Sequence, residues 1–364
     1  MFGFDAQHTG FNSFERLLSP ANVSQLNLAW TSPSIGADYY SSPMVSGGTV
    51  YVGSYDGRVY AFDVATGQTR WVSEPHPGTI TGVNLSTPAV VNGVVYICLH
   101  DSRLYAFDAA TGRLRWVSPA ENAVISSPTV VNGVVYVTGN ENVYAFDAAS
   151  GRPLWASSSI GAGYPALAVA NGIVYVNISS NSPGTGRIAA LNAATGQLRW
   201  RSDLITGGID TNASLTVANG LIYIGVDGGL AAFDAQTGRL RWITTPAKGT
   251  TGSTTAAAND LVYLSIDRVY AFDAATGKLR WTSNSMGSYI ANSPFVANGV
   301  LYVCGNTISS SWVNALDAAT GRTLWTSSLA EEQTGTPPIV ENGMVYVASG
   351  NRDVQIYAFH LPRK

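Results

Sequence analysis

Charge is scarce in this chain. Only 12% of its 364 residues are Asp, Glu, Lys or Arg, about half of the ~25% usual in soluble domains. Three lysines stand against seventeen arginines, and the net charge is −3, so there is no electrostatic footprint for nucleic acid or an anionic membrane. Two cysteines neither demand nor exclude an oxidising compartment. Four histidines without tight ligand spacing give no zinc motif. No apolar run approaches the ~20 residues of a membrane span. The N-terminus lacks a basic-then-apolar signal pattern, which places any signal or anchor outside this chain. No Gly-rich phosphate loop opens a helix, and no Gly-x-Ser-x-Gly elbow occurs. The apolar positions show no 3.6-residue period, which excludes helical repeats.

What is present is repetition. Trp30, Trp71, Trp116, Trp155, Trp200, Trp242, Trp281 and Trp325 are spaced by 41, 45, 39, 45, 42, 39 and 44 residues. Most close a phrase such as Thr111-Gly112-Arg113-Leu114-Arg115-Trp116. Two further phrases recur at the same period, typified by Asn92-Gly93-Val94-Val95-Tyr96 and Val59-Tyr60-Ala61-Phe62-Asp63. Each unit therefore holds four short strands, A to D, punctuated by Asn-Gly and Thr-Gly turns. Four strands in about 42 residues make one blade of a β-propeller. Pro43, Pro88, Pro128, Pro294 and Pro337 fall in strand A, and proline, lacking a ladder donor, belongs on an edge strand. Strand A is thus expected to line the central channel.

The phrases are out of step at the chain ends. Trp30 precedes the first strand A, while Tyr357-Ala358-Phe359 has no following Trp. The predicted fold is all-β: an eight-bladed propeller over residues 26–364 whose last blade takes strand D from residues 26–31, preceded by a lead-in segment, 1–25. Ring closure removes the open edges of a linear array.

The repeated Asp63, Asp108, Asp147, Asp234, Asp273 and Asp317 each stand three residues before Thr-Gly or Ser-Gly. They are read as turn caps rather than metal ligands, and Asn192 and His360 in the same place argue against a metal ring. Each Trp is expected to cover the small Ala two residues before the Asp of a neighbouring sheet. Arg70, Arg115, Arg199, Arg241 and Arg280 are expected to point their guanidinium groups to solvent.

The run Ala61-x-Asp63-x-x-Thr66-Gly67-x-x-x-Trp71, repeated over residues 26–360, resembles the tryptophan-docking motif of the pyrroloquinoline-quinone (PQQ) repeat family. Phe4-Asp5-Ala6-Gln7-His8-Thr9-Gly10 is similar to the lead-in of its secreted members. The resemblance implies an eight-bladed propeller and two functional precedents. One is the BamB-type assembly lipoproteins; the other is the quinoprotein alcohol dehydrogenases. The dehydrogenases carry adjacent cysteines over PQQ, a Glu/Asn/Asp calcium site and a catalytic Asp. This chain has no adjacent cysteines, and the calcium triad finds no matched positions.

The A–B and C–D turns share one face and are nearly uniform. The D–A and B–C connections share the other and vary, so function is expected there. Candidate ligand-binding residues at the start of strand A are Tyr39, Tyr40, Asn84, Tyr164, Asp210, Asn212, Tyr289 and Asn292, whose aromatic and amide groups suit a planar or sugar-like ligand. The bland reading of the same residues is a water-filled channel mouth. Asp38, Glu74, Glu121, Asp203, Glu331 and Glu332 make this rim acidic, with Lys248 the lone Lys in its D–A loops. His76 and His100 near Glu74 and Asp101 are read as surface histidines. Cys98 and Cys304 end strand B of blades two and seven and are expected to be free, buried thiols.

The expected function is a non-catalytic, monomeric, extracytoplasmic binding module or scaffold that engages a protein or small-molecule ligand. No cofactor and no metal are expected. A PQQ-dependent dehydrogenase, requiring PQQ and calcium, is one alternative. A carbohydrate-active propeller using Asp210 and a second acid ~5–10 Å away is the other.

Overall fold

In a computed structural model, eight antiparallel sheets form the propeller. The structure describes residues 4–35, 41–76, 86–99, 101–119, 124, 126–139, 141–160, 167–179, 185–206, 214–247, 254–284, 293–306, 311–329, 336–350 and 354–362. Blade 1 is typical: strands A to D are Met44–Ser46, Thr49–Gly53, Val59–Asp63 and Thr69–Val72. Blades 2 to 7 repeat this order. Strand A is only three residues long in every blade (Ala168–Ala170 in blade 4, Thr216–Ala218 in blade 5, Ala256–Ala258 in blade 6, Phe295–Ala297 in blade 7, Ile339–Glu341 in blade 8). Pro43, Pro88, Pro128 and Pro294 stand one residue before strand A, and Pro337 two before it, rather than inside it. A residue without an N–H marks where the ladder starts.

Blade 8 closes as expected. Its outer strand, Asn27–Thr31, pairs antiparallel with Gln355–His360, setting Trp30 opposite Ala358. The Ser32 hydroxyl accepts the Ile356 N–H at 2.9 Å. In other blades the serine at the same position does the same for the start of strand C, as Ser73 does for Val59. The N-terminal strand therefore occupies the place of an ordinary strand D.

Except in blade 6, where Asp260 follows Asn259, the A–B turns have both central residues at positive φ, for example Asn92 at 51° and Gly93 at 73°. This is the two-residue hairpin geometry whose twist matches the flanking strands. The C–D turns are capped by their acids: Asp108 Oδ1 accepts from the N–H groups of Ala110 and Thr111 and from the Thr111 hydroxyl.

The tryptophans pack differently from expectation. Trp71 lies on Gly112, in the C–D turn of the next blade, where an added Cβ would sit 2.5 Å from its Cε3. Its Nε1 donates to the Ala109 carbonyl at 2.9 Å, and Tyr51 from strand B donates its hydroxyl to the same oxygen at 3.1 Å. One carbonyl thus uses both lone pairs to join two strands of the preceding blade. Ala148, Ala193, Ala274 and Ala318 accept the same pair of donors at later seams. An Ala in a strand centre offers the indole no free acceptor; the residue after the turn Asp does. The arginines also differ. Arg70, Arg115, Arg241 and Arg280 pair with the turn Asp of their own blade at 2.6–2.7 Å.

The seam between blades 7 and 8 departs from this scheme, because no Thr-Gly follows His360. Trp325 donates instead to the Leu26 carbonyl and meets Phe359 edge-on at 5.1 Å. Tyr302, at the equivalent strand B position, is fully buried, and its hydroxyl has no partner among the described residues.

Candidate functional site

The variable face carries the loop differences that a rigid disc permits. All eight candidate ligand-binding residues (Tyr39, Tyr40, Asn84, Tyr164, Asp210, Asn212, Tyr289 and Asn292) lie outside the described residues, as do His100, Lys248 and the acids Asp38, Glu121, Glu331 and Glu332. The described strands show that this face is uneven. The B–C hairpins of blade 4 (Ile173–Ser179 with Thr185–Asn192) and blade 7 (Val300–Asn306 with Ser311–Asp317) are longer than the five-residue strands of blade 1. Their strands are also longer than the six- and five-residue B and C strands of blades 5 and 6 that separate them.

Beside blade 2, the His76 ring packs on Tyr105 at 4.6 Å, and burial lowers its pKa. Asp101 accepts the Tyr105 hydroxyl at 2.6 Å and the Arg103 N–H. Among the described residues no three His, Cys, Asp or Glu side chains cluster as a metal site. Asp63, Asp108, Asp147, Asp234 and Asp273 are held below the usual carboxylate range by their own turn partners; Arg115 and Thr111 bring Asp108 down to about 2. Cys98 and Cys304 are free and buried, and burial pushes both thiols up. Cys98 ends its strand, whereas Cys304 stands two residues before the end of the longer blade 7 strand.

The feature that the strand pattern did not reveal is the channel. The lead-in segment turns inside the ring and presents successive carbonyls to successive blades. Ala6, Gln7, Thr9 and Gly10 accept the N–H groups of Val169, Val217, Ala257 and Val296, the central strand A residues of blades 4 to 7, at 2.7–2.9 Å. Phe11–Asn12 then runs parallel to strand A of blade 7 as a fifth strand. The Asn12 amide donates to the Val340 carbonyl of blade 8, and Glu15 Oε2 accepts the Gly343 N–H. The strand A edges of these blades therefore do not face open water. A signal for this existed: inner-edge amides need acceptors, and the one non-repeating stretch could supply them.

Sequence shapes the segment locally. Asp5 accepts from the Gln7 and Thr9 N–H groups at 3.0 Å, folding the chain back on itself. Burial raises the Asp5 pKa, against these bonds. His8 is fully buried, its Nε2 3.2 Å from the Thr129 hydroxyl, and burial pushes its pKa down to about 3. Gly10 has φ +60°, and a Cβ there would lie 3.0 Å from the Ala256 Cβ and 3.1 Å from the Pro294 carbonyl.

Between the segment and strand A of the ring remains a cavity of about 30 Å³, lined by Phe4, Gly10, Met44, Thr255, Pro294 and Phe295 among others. That is room for a water or two. None of its lining residues is Lys or Arg. PQQ is a tricyclic quinone bearing three carboxylates, and the described residues lining this space offer it neither volume nor countercharge. The two cysteines are free and buried in separate blades.

Sequence comparison gives the ancestry. A family profile described as outer membrane protein assembly factor BamB matches residues 81–156, 139–266, 226–310 and 309–360. A second, described as the β-propeller domain of glucose, ethanol and alcohol dehydrogenases, matches residues 1–84. The chain belongs to the PQQ-repeat β-propeller family. No curated protein matches it. Among solved structures, this PQQ-repeat propeller is similar to the quinohemoprotein alcohol dehydrogenase of Comamonas testosteroni, with TM-score 0.83 and 18% identity, over 100% of this chain and 80% of that one. A europium-containing methanol dehydrogenase matches with TM-score 0.82 and 16% identity, over 99% and 97% of the two chains. BamB of Moraxella catarrhalis matches with TM-score 0.69 and 20% identity, over 93% and 98%. At these identities the likeness is one of fold.

Proposed function

We propose that this PQQ-repeat propeller is a non-catalytic, monomeric binding module of the extracytoplasmic space, which engages a protein or a small ligand through its variable face. The occupied channel carries the reading: four backbone carbonyls of residues 6–10 take up the inner-edge amides of blades 4 to 7, and the space left among the described residues is about 30 Å³. On this reading binding falls to the variable-face loops, for which the sequence offers Tyr39, Tyr40, Asn84, Tyr164, Asp210, Asn212, Tyr289 and Asn292 as candidates. The longer hairpins of blades 4 and 7 give that face relief, and the surplus of acids suits a basic or neutral partner. No helix among the described residues is long and apolar enough to cross a membrane, and the BamB likeness supports an assembly or scaffold role beside one.

A second reading, a PQQ- and calcium-dependent dehydrogenase, draws on the dehydrogenase profile over residues 1–84. One experiment separates the two. The protein is titrated with PQQ and calcium while quinone absorbance is followed, and dye reduction is then assayed with alcohols and sugars. Unchanged absorbance and no turnover are expected; saturable binding with turnover would establish the enzyme.

A further inference from the structure

We propose that the inner ring of the propeller is a binding site for a peptide main chain, and that residues 4–18, whose Leu18 reaches into the core beside blades 7 and 8, are its exchangeable occupant rather than one of the blades. Three observations carry this. First, the recognition is of main chain: blades 4 to 7 each offer the N–H at one equivalent position, and each takes one carbonyl of the segment, from Ala6 to Gly10. Addition of Phe11–Asn12 as a parallel strand on blade 7 extends the same chemistry. This is edge-strand peptide capture, carried out at the centre of a ring.

Second, a few side chains confer sequence selectivity. His8 meets the Thr129 hydroxyl, Asn12 the Val340 carbonyl and Glu15 the Gly343 N–H. The Gly10 position admits no side chain without displacing Ala256 or the Pro294 carbonyl. The site therefore favours a peptide with a small residue flanked by His two positions before and Asn two positions after. Asp5 folds the segment through its own backbone bonds, so much of the ordering cost is met within the peptide.

Third, the segment is covalently joined to the disc only through the stretch that leads into strand Asn27–Thr31, and Pro20 and Ala21 in that stretch are exposed. The eighth blade needs Asn27–Thr31; it has no strand from residues 4–18.

The test uses the full chain with a specific protease site inserted between Pro20 and Ala21. After cutting, the N-terminal fragment is expected to co-elute with the disc in gel filtration, with far-ultraviolet dichroism unchanged. A fluorescein-labelled peptide of residues 4–18 is then expected to replace it, read by anisotropy. The same peptide carrying Gly10→Ala should compete at least about tenfold more weakly, a difference of about 1.4 kcal/mol. Three results would overturn the proposal. These are unfolding of the disc on cutting, release of the fragment without uptake of labelled peptide, and equal competition by wild-type, Gly10→Ala and scrambled peptides.

Discussion

Two glycine substitutions separate backbone strain from packing at the blade seams. Gly93 and Gly112 have nearly the same φ, +73° and +71°, yet an added Cβ at Gly93 meets nothing within 4 Å while at Gly112 it falls 2.5 Å from Trp71 Cε3 and 2.7 Å from Cδ2. Gly93→Ala therefore bears only the left-handed strain, about 1–2 kcal/mol. Gly112→Ala bears the same strain and must also push the indole off its seat. Overpacking of this kind costs roughly 1–3 kcal/mol, and breaking the Trp71 bond to the Ala109 carbonyl adds about 1 kcal/mol. Urea unfolding followed by Trp fluorescence and far-ultraviolet dichroism should show Gly112→Ala losing about 2 kcal/mol or more beyond Gly93→Ala. Equal losses would refute the seat. So would a near-ultraviolet spectrum that leaves Trp71 unperturbed in Gly112→Ala.

Removal of residues 1–31 should lower the melting temperature, since blade 8 loses its outer strand and blades 4 to 7 lose four inner acceptors; an unchanged thermal midpoint would contradict the closure. Acid should weaken the channel contacts through His8. Its folded pKa, about 3, lies below the ordinary 6.5, so the neutral ring's contribution is complete above pH 6.5 and is lost as pH falls. Between pH 7 and pH 5 the loss amounts to about 2 kcal/mol, and the His8→Gln variant should lack this part of the pH slope when urea midpoints are compared. Both buried thiols should resist a disulfide reagent in the native protein and react only on unfolding; rapid native labelling of Cys98 or Cys304 would contradict their burial.

The ring was legible because its determinants are local and repeated. Each Thr-Gly or Asn-Gly marks a turn that only a few residues tolerate, and Trp recurs at a blade's length. The exchange of strands at the ends followed from Trp30 and the missing Trp after Phe359. The seam chemistry was not legible, because it depends on which carbonyl of the next blade lies near the indole, a matter of ring geometry rather than of spacing. Residues 4–15 were harder still. Their partners, from Val169 to Gly343, lie more than a hundred residues away in the chain, and the four contacts to blades 4 to 7 join backbone to backbone, which leaves no side-chain pattern. The candidate residues on the variable face rest on loop placement alone, and all eight lie outside the described residues.

The central claim, that the N-terminal segment occupies the channel along blades 4 to 7, is most directly tested by amide hydrogen exchange resolved by residue. Val169, Val217, Ala257 and Val296 donate to the segment's carbonyls, whereas Val45 and Val90, at the same ladder position in blades 1 and 2, have no such acceptor among the described residues. The four paired amides should exchange far more slowly than Val45 and Val90, and should lose that protection when residues 1–20 are removed. Equal rates across all six, or protection that survives the removal, would contradict the account.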